Sequence, residues 1–368
     1  MLVMGTRPEI VKMASVVSAC RELGVECEIV QAMQHYEWEM SGRFMEELGV
    51  GKATRRVHVG SGTQAVQTSN AMVNMEKVIR QDRPEGVVVQ GDTNTVLGTA
   101  VAAAKLKVPV YHVESGIRSY DLRMPEEHNR ILVDHASSLL FAPTRHAAST
   151  LRHEGVWGRI FVVGNTVIDA CLAFKERETR EPNVLQHIRF DEFALSTFHR
   201  AENVDDPKTL LTIVKVLTGS PVPIVFPVHP RTKHRLKSFG FLAKLTRSKT
   251  VQLLPAIGYF DILTLMGECK FIITDSGGIQ EEATAPNIRK FTFVMRRTTD
   301  RPESVEAGFA KLVGIEEPER ILRSIKAAAN HPVELPKRSP YGDGKAGLRI
   351  IQTLKSGAVQ RTLKRFFA

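Results

Sequence analysis

The chain has 368 residues, 43% of them hydrophobic and 24% charged, with a formal net charge of +10. That length suits two domains of about 150–200 residues, and no apolar run approaches the roughly 18 residues that a membrane-spanning helix needs. The basic balance leaves nucleic acid, a membrane surface or an anionic small ligand as partners. Aromatics are only 7% and are not interleaved with the scattered Lys and Arg, which weighs against nucleic acid.

Along the chain, Met1–Gly5 enters a strand at once, with no charged or apolar leader pattern, so no signal peptide is expected. Short β-rich runs then alternate with amphipathic stretches. Expected strands are Glu28–Gln31, Gly86–Gln90, Val108–Val113 and Leu139–Ala142, with helices over Thr63–Arg80 and Thr95–Lys105 among those between. The alternation restarts after about residue 165, with strands at Phe193–Thr197, Ile224–Pro227, Val251–Leu253 and Phe271–Thr274. Such a pattern predicts mostly parallel sheets covered by helices, and the restart predicts two such domains. The linker is expected near Gly164–Ala170. A second irregular stretch, Asn330–Gly347, precedes a last amphipathic helix. The densest basic run, Lys355 through Arg361, Lys364 and Arg365, reads as a solvated helix face. Cys20, Cys27, Cys171 and Cys269 are not spaced as metal ligands and read as reduced packing thiols in a cytoplasm.

In doubly wound domains ligands bind at the carboxyl ends of strands, where sheet order reverses. Chemistry-bearing residues gather there. Gly5-Thr6-Arg7-Pro8-Glu9 ends the first strand, with Pro8 suited to a first helical position. Arg7 and Lys12 at that helix start form a candidate diphosphate clamp, though an ordinary basic helix start reads the same way. Asp92 follows the Gly86–Gln90 run, where it would serve as a catalytic carboxylate or simply as a helix cap. Glu114 ends a buried strand, a costly position unless paired or used. Glu126 and Glu127 open an expected helix, a placement that the helix dipole alone would favour. In the second half, His199 and Arg200 follow one strand, and His229 and Arg231 follow the next. Thr274-Asp275-Ser276-Gly277-Gly278 then ends an apolar strand in small residues that let phosphate approach backbone N–H groups. Glu282, one turn on, could accept both hydroxyls of a ribose. The G-x-G-x-x-G fingerprint with its acidic partner is absent, which argues against tightly bound NAD.

Taken in order, these segments strongly resemble the non-hydrolysing UDP-N-acetylglucosamine 2-epimerases. The carriers are G-T-R-P-E-x-x-K (Gly5–Lys12), Q-H-Y (Gln34–Tyr36), Q-G-D-T (Gln90–Thr93), H-V-E-S-G-I-R-S (His112–Ser119) and M-P-E-E-H-N-R (Met124–Arg130). They continue with G-N-T-V-I-D (Gly164–Asp169), H-R-A-E-N (His199–Asn203), V-H-P-R (Val228–Arg231), T-D-S-G-G-I-Q-E-E (Thr274–Glu282), R-P-E (Arg301–Glu303) and P-Y-G-D-G (Pro340–Gly344).

The resemblance implies an α/β, glycosyltransferase-B-like fold: two Rossmann-like domains facing across a cleft. The first spans residues 1–165 plus a returning helix at 348–368, and the second spans 166–347. It also implies a cytoplasmic homodimer that acts on a UDP-sugar without cofactor or metal. By position, Asp92, Glu114 and Glu126 match catalytic carboxylates, and His199 an active-site histidine near the phosphates. Arg7, Lys12, Ser276, Gly277, Gly278, Glu282 and Arg301 match UDP-sugar-binding residues. Gln34, His35 and His229 resemble part of an activator site found in bacterial members. Two departures stand out. Ala285–Phe291 replaces the usual short Gly-x-Pro turn, and Ile262 stands where the family commonly has an aromatic near the uracil, with Tyr259 or Phe260 as substitutes.

The implied reaction is removal of the C2 proton as UDP leaves C1, giving a 2-acetamidoglucal, followed by re-addition. Rivals are the same chemistry on a UDP-2,3-diacetamido uronic acid, with Arg118, Arg123 or Arg130 meeting its carboxylate, a hydrolysing epimerase, a glycosyltransferase of the same fold, and a nucleic-acid binder.

Overall fold

The computed structural model describes residues 1–33, 38–176, 183–331 and 333–357. The chain divides into two compact units, Met1–Ala170 with Tyr341–Ala368, and Cys171–Pro340. The stretch expected as a linker is helical, lying at the start of a helix over Thr166–Glu176. Asn165 caps the turn into it, its side-chain oxygen accepting from Val167 N–H.

In the first unit seven parallel strands form one sheet: β1 (Leu2–Met4), β2 (Ile29–Met33), β3 (Arg55–His58), β4 (Val87–Gln90), β5 (Val110–Val113), β6 (Leu139–Ala142) and β7 (Arg159–Val162). Their order is β3-β2-β1-β4-β5-β6-β7. The central strands β4, β5 and β6 are buried throughout, because helices cover both faces of a parallel sheet and leave no solvent side. Valines are frequent in β4 and β5, since β-branched side chains fit the pleated surface. Edge strand β3 exposes three of its four residues, and β7 exposes two and half-buries the other two.

Helices start where the sequence supplies a cap. Thr63 and Thr93 each accept, through the hydroxyl, from the backbone three residues on, at 3.3 Å, and open helices Gln64–Asp82 and Asn94–Lys105. Those two helices pack closely at Gly98, where a Cβ would lie 2.6 Å from the Thr68 carbonyl oxygen. The last described helix, Ala346–Lys355, returns to pack on helix Arg7–Glu22. Asp169 receives the N–H groups of Ala346 and Gly347 at 3.1 and 2.8 Å, and a Cβ on Gly347 would meet the backbone of Ser15 at 2.6 Å.

The second unit carries six parallel strands: β8 (Ala194–Thr197), β9 (Ile224–Pro227), β10 (Val251–Leu254), β11 (Ile272–Thr274), β12 (Thr292–Val294) and β13 (Ala310–Leu312). Their order is β10-β9-β8-β11-β12-β13. Its core gathers Phe198, Phe226, Phe271, Phe293, Leu217 and Ile273. Phe271 and Phe293 meet edge to face at 5.4 Å between ring centres, the arrangement ring quadrupoles prefer. Both sheets reverse their order once, between β1 and β4 and between β8 and β11. The expected doubly wound α/β architecture, two Rossmann-like units, is the one observed.

Candidate active site

At the reversal in the first unit, β1 runs into Gly5 and Thr6 before helix Arg7–Glu22. Glu9 organises this turn. Its carboxylate accepts from Gly5 N–H at 2.5 Å, Thr6 N–H at 2.9 Å and the Thr93 hydroxyl at 2.7 Å. One buried side chain therefore joins the turn after β1 to the turn after β4. Burial pushes its carboxyl above the usual range, and the bonds from Thr93, Thr6 and Gly5 pull part of the way back. The sequence reading passed over Glu9. The signal was the Thr6-x-x-Glu9 spacing of a capping box.

Asp92 lies in the turn after β4. The helix that follows is capped by Thr93, so capping is not the role of Asp92. Its carboxylate instead receives Arg130 through Nε at 2.8 Å and Nη2 at 2.7 Å. Asn129 donates to its carbonyl oxygen at 2.8 Å. Arg130 also reaches Glu127 at 2.8 Å, and Glu127 accepts from Ser119 and Tyr120 N–H at 2.8–3.0 Å. The adjacent carboxylates of helix Pro125–Ala136 thus differ. Glu127 is buried and structural, whereas Glu126 is exposed and makes no hydrogen bond or ion pair among the described residues.

Glu114 ends β5 with φ of +69°, a left-handed conformation that costs a non-glycine residue about 1–2 kcal/mol. The carboxylate so aimed receives Lys12 Nζ at 2.5 Å and Gln90 Nε2 at 2.6 Å. The pairing expected of an acid at the end of a buried strand is supplied by Lys12, which is turned to Glu114. Arg7 is exposed, 5.9 Å above the Phe44 ring. His112, also passed over by the sequence reading, braces the same corner. Nδ1 lies 2.7 Å from Asp134 and Nε2 lies 2.8 Å from the Gly91 carbonyl oxygen. Burial works to raise the Asp134 carboxyl, but His112 and Arg118 outweigh it and hold it below its usual value.

At the reversal in the second unit, β8 leads to His199 and Arg200, and β11 leads to Asp275. Asp275 accepts from His199 and Arg200 N–H and from Asn203, each at 3.1 Å. His199 is half-buried. Burial lowers its pKa, Arg200 and His229 lower it further, and Asp275 and Glu202 oppose them. The His229 ring lies 5.8 Å from the His199 ring, and its Nδ1 accepts from Arg231 N–H at 3.2 Å. Gln34 and His35, grouped with His229 in the sequence reading, lie outside the described residues.

Ser276 caps the six-residue helix Gly277–Glu282. Arginines surround this turn. A Cβ on Gly277 would stand 3.4 Å from Asp300 and 3.6 Å from both Arg200 and Arg301. Arg296 pairs with Asp300 at 2.6 Å, Arg200 approaches Asp300 at 3.7 Å, and Arg301 pairs with Glu281. Glu202 stands 4.0 Å from Arg296 at the exposed rim. Three guanidiniums thus share two buried carboxylates, and Arg200 Nε is buried without a hydrogen-bond partner among the described residues. Such a cluster suits an anion with several acceptor oxygens.

Glu282 is buried, and Tyr259 is the aromatic that reaches it. Burial, then the Glu282 charge, hold the Tyr259 phenol well above its usual value. The Ala285–Phe291 departure folds as a compact turn, with Arg289 N–H bonded to the Ala285 carbonyl at 3.0 Å and Lys290 N–H to that of Ala283 at 2.9 Å.

Paired switch-point sites, one rich in carboxylates and one rich in arginines, on two Rossmann-like units define an enzyme of the glycosyltransferase-B-like class. A family model described as UDP-N-acetylglucosamine 2-epimerase matches residues 18–355. A UDP-N-acetylglucosamine 2-epimerase of Methanocaldococcus jannaschii is 40% identical over 365 residues, covering 97% of this chain and 98% of the relative. The crystal structure of the Methanocaldococcus jannaschii enzyme in complex with UDP-GlcNAc and UDP superposes with a TM-score of 0.87 at 41% identity, covering 97% of this chain and 99% of that one. A UDP-2,3-diacetamido-2,3-dideoxy-D-glucuronate 2-epimerase of Pseudomonas aeruginosa is 36% identical over 359 residues, covering 96% and 98%. This chain belongs to the UDP-N-acetylglucosamine 2-epimerase family, and it is an isomerase.

Proposed function

We propose that the chain interconverts UDP-N-acetylglucosamine and UDP-N-acetylmannosamine by eliminating and re-adding UDP. The C2 proton of the sugar has no neighbouring carbonyl to acidify it, so direct deprotonation is slow. Elimination removes the difficulty. A base takes the C2 proton, its electron pair forms the C1–C2 double bond, and the C1–O bond breaks as UDP departs with its pair. Return of UDP to C1, with a proton delivered to the opposite face of C2, completes the inversion.

The observation that carries this reading is the pair of carboxylates on neighbouring strand ends, each seated on a cation: Glu114 on Lys12 and Asp92 on Arg130. With exposed Glu126 they are the acid–base groups assigned to C2. General acid–base help of this kind contributes about 10²–10⁴-fold. In the second unit His199, Arg301 and the Ser276-Gly277-Gly278 turn are assigned to the diphosphate, where fixed donors stabilise the departing charge. Glu282 is assigned to the ribose. Arg7 is the cation of the first unit assigned to the substrate.

The Pseudomonas aeruginosa relative supports a second reading, a diacetamido uronate substrate. That sugar needs a cation for its carboxylate, and two of the three candidate arginines are buried and held, Arg118 by Asp134 and Glu154 and Arg130 by Asp92 and Glu127, whereas Arg123 is exposed in a surface pair with Asp121. This favours the uncharged sugar. The reading includes a homodimer working in the cytoplasm, which sedimentation and cell fractionation test. Among the described residues no helix is long and apolar enough to cross a membrane.

The deciding experiment is proton NMR of the protein with UDP-N-acetylglucosamine in D₂O. Deuterium at C2 with appearance of the manno epimer is expected. Free N-acetylmannosamine with UDP would mean hydrolysis instead. An untouched sugar with UDP still bound would reject this substrate and bring the diacetamido uronate forward.

A further inference from the structure

We propose that Asp275 is the positioning residue for His199: its buried carboxylate sets the ring's proton on Nδ1 and leaves Nε2 to serve the departing diphosphate. This rests on the assignment of His199 to the phosphate side of the reaction.

Asp275 stands at the tip of β11 with no exposed surface. A buried carboxylate is costly unless its lone pairs are met. Here they are met by one loop. Oδ1 accepts from His199 N–H, and Oδ2 accepts from Arg200 N–H and Asn203 Nδ2, each at 3.1 Å. Asn203 also donates to the Met295 carbonyl at 2.9 Å, which ties the arrangement to the end of β12. No lysine or arginine side chain is ion-paired to Asp275 among the described residues. Its one ionic approach is to His199 Nδ1, 3.4 Å from Oδ1.

At 3.4 Å the carboxylate charge disfavours a bare nitrogen lone pair and favours an N–H, so the neutral ring is assigned its proton on Nδ1. Nε2 is then the nitrogen that gains and loses the catalytic proton. The charged and titratable groups facing the ring are Asp275 from β11, Arg200 and Glu202 from its own loop, and His229 from the turn after β9. Asp300 and Arg301 lie one contact further, through Arg200. Asp275 and Glu202 favour the imidazolium, whereas burial, Arg200 and His229 oppose it. Removing the Asp275 charge therefore takes away the nearest group that favours protonation, and His199 should lose its proton at lower pH.

The test is ¹⁵N NMR of the full chain labelled at histidine, with His199 assigned from the His199→Gln variant. In the wild type the neutral His199 ring is expected as the Nδ1–H tautomer. Asp275→Asn is expected to weaken protonation of His199 about tenfold or more. The alkaline limb of kcat should move to lower pH with it, while UDP affinity below that limb is kept. A neutral Nε2–H tautomer, or an unmoved His199 titration in Asp275→Asn, overturns the proposal. If Asp275→Asn does not fold, the wild-type tautomer alone decides. A shifted titration with undiminished turnover in both His199→Gln and Asp275→Asn leaves the contact standing and rejects His199 as the phosphate-side acid.

Discussion

Removing the Glu9 carboxylate should weaken the first unit and leave the second untouched. In Glu9→Ala the N–H groups of Gly5 and Thr6 lose their acceptor, while the Thr93 hydroxyl can turn elsewhere. Gly5 is buried, and a buried donor left unmet costs about 1–3 kcal/mol; Thr6 is exposed, so its N–H can turn to water. Burial already disfavours the ionised carboxylate, so part of that loss is recovered, and about 1–2 kcal/mol is expected. Glu9→Gln keeps an oxygen for the two amides and should stay within about 1 kcal/mol of wild type. The pH dependence has a definite sign. A carboxyl whose folded pKa is raised contributes stability below its unfolded pKa and loses it as pH rises through the folded value. Wild type should therefore weaken relative to Glu9→Gln as pH rises from about 4 and then level off. The two tryptophans, Trp38 and Trp157, both fall in the first unit, so their fluorescence during urea unfolding reports on that unit. With a slope of about 2 kcal/mol per molar, the midpoint of Glu9→Ala should fall by about 0.5–1 M. Coincident midpoints for the alanine and glutamine variants would refute the clamp.

Other outcomes follow from the same geometry. Asp92→Asn, Glu114→Gln and Glu126→Gln should each lower kcat by about 10²–10⁴-fold with the Kd for UDP unchanged by calorimetry; near-normal turnover in all three would dismiss them as the acid–base set. Gly98→Ala drives a methyl to 2.6 Å from a backbone oxygen, and overpacking of that kind costs about 1–3 kcal/mol, outweighing the better helix propensity of alanine. A higher unfolding midpoint in Gly98→Ala would show that the two helices can separate. Asp205, pulled down to about 2 mainly by Arg231, is largely solvated, so Asp205→Asn should cost at most about 1 kcal/mol. That small difference should vanish as pH falls from about 4 towards 2, the window between its unfolded and folded pKa.

Strand ends were legible because parallel strands buried on both faces leave apolar runs, and the runs stop where the chain turns to its chemistry. Leu139–Ala142 and Ile224–Pro227 appear as read, and the other expected strands differ only at their ends. The edge strands Arg55–His58 and Arg159–Val162 were not visible, since one or both faces meet solvent and charged residues interrupt the apolar signal. That Asp92, Glu114 and His199 follow strand ends could be read from position. Their supports could not, because Arg130 at Asp92, Lys12 at Glu114 and Asp275 at His199 are matched by folding across 38, 102 and 76 residues. Glu9 and His112 look like a helix-start acid and a strand histidine until the turns they bind are brought together.

The helix Ala346–Lys355, seated on helix Arg7–Glu22 through Gly347, also orders events during synthesis. The first unit cannot complete its surface until almost the whole chain has left the ribosome, whereas Cys171–Pro340 has all its strands in hand earlier. The amino-terminal unit is therefore the later of the two to finish, and chains truncated before Tyr341 and released should hold a complete second unit and a first one that lacks its last helix.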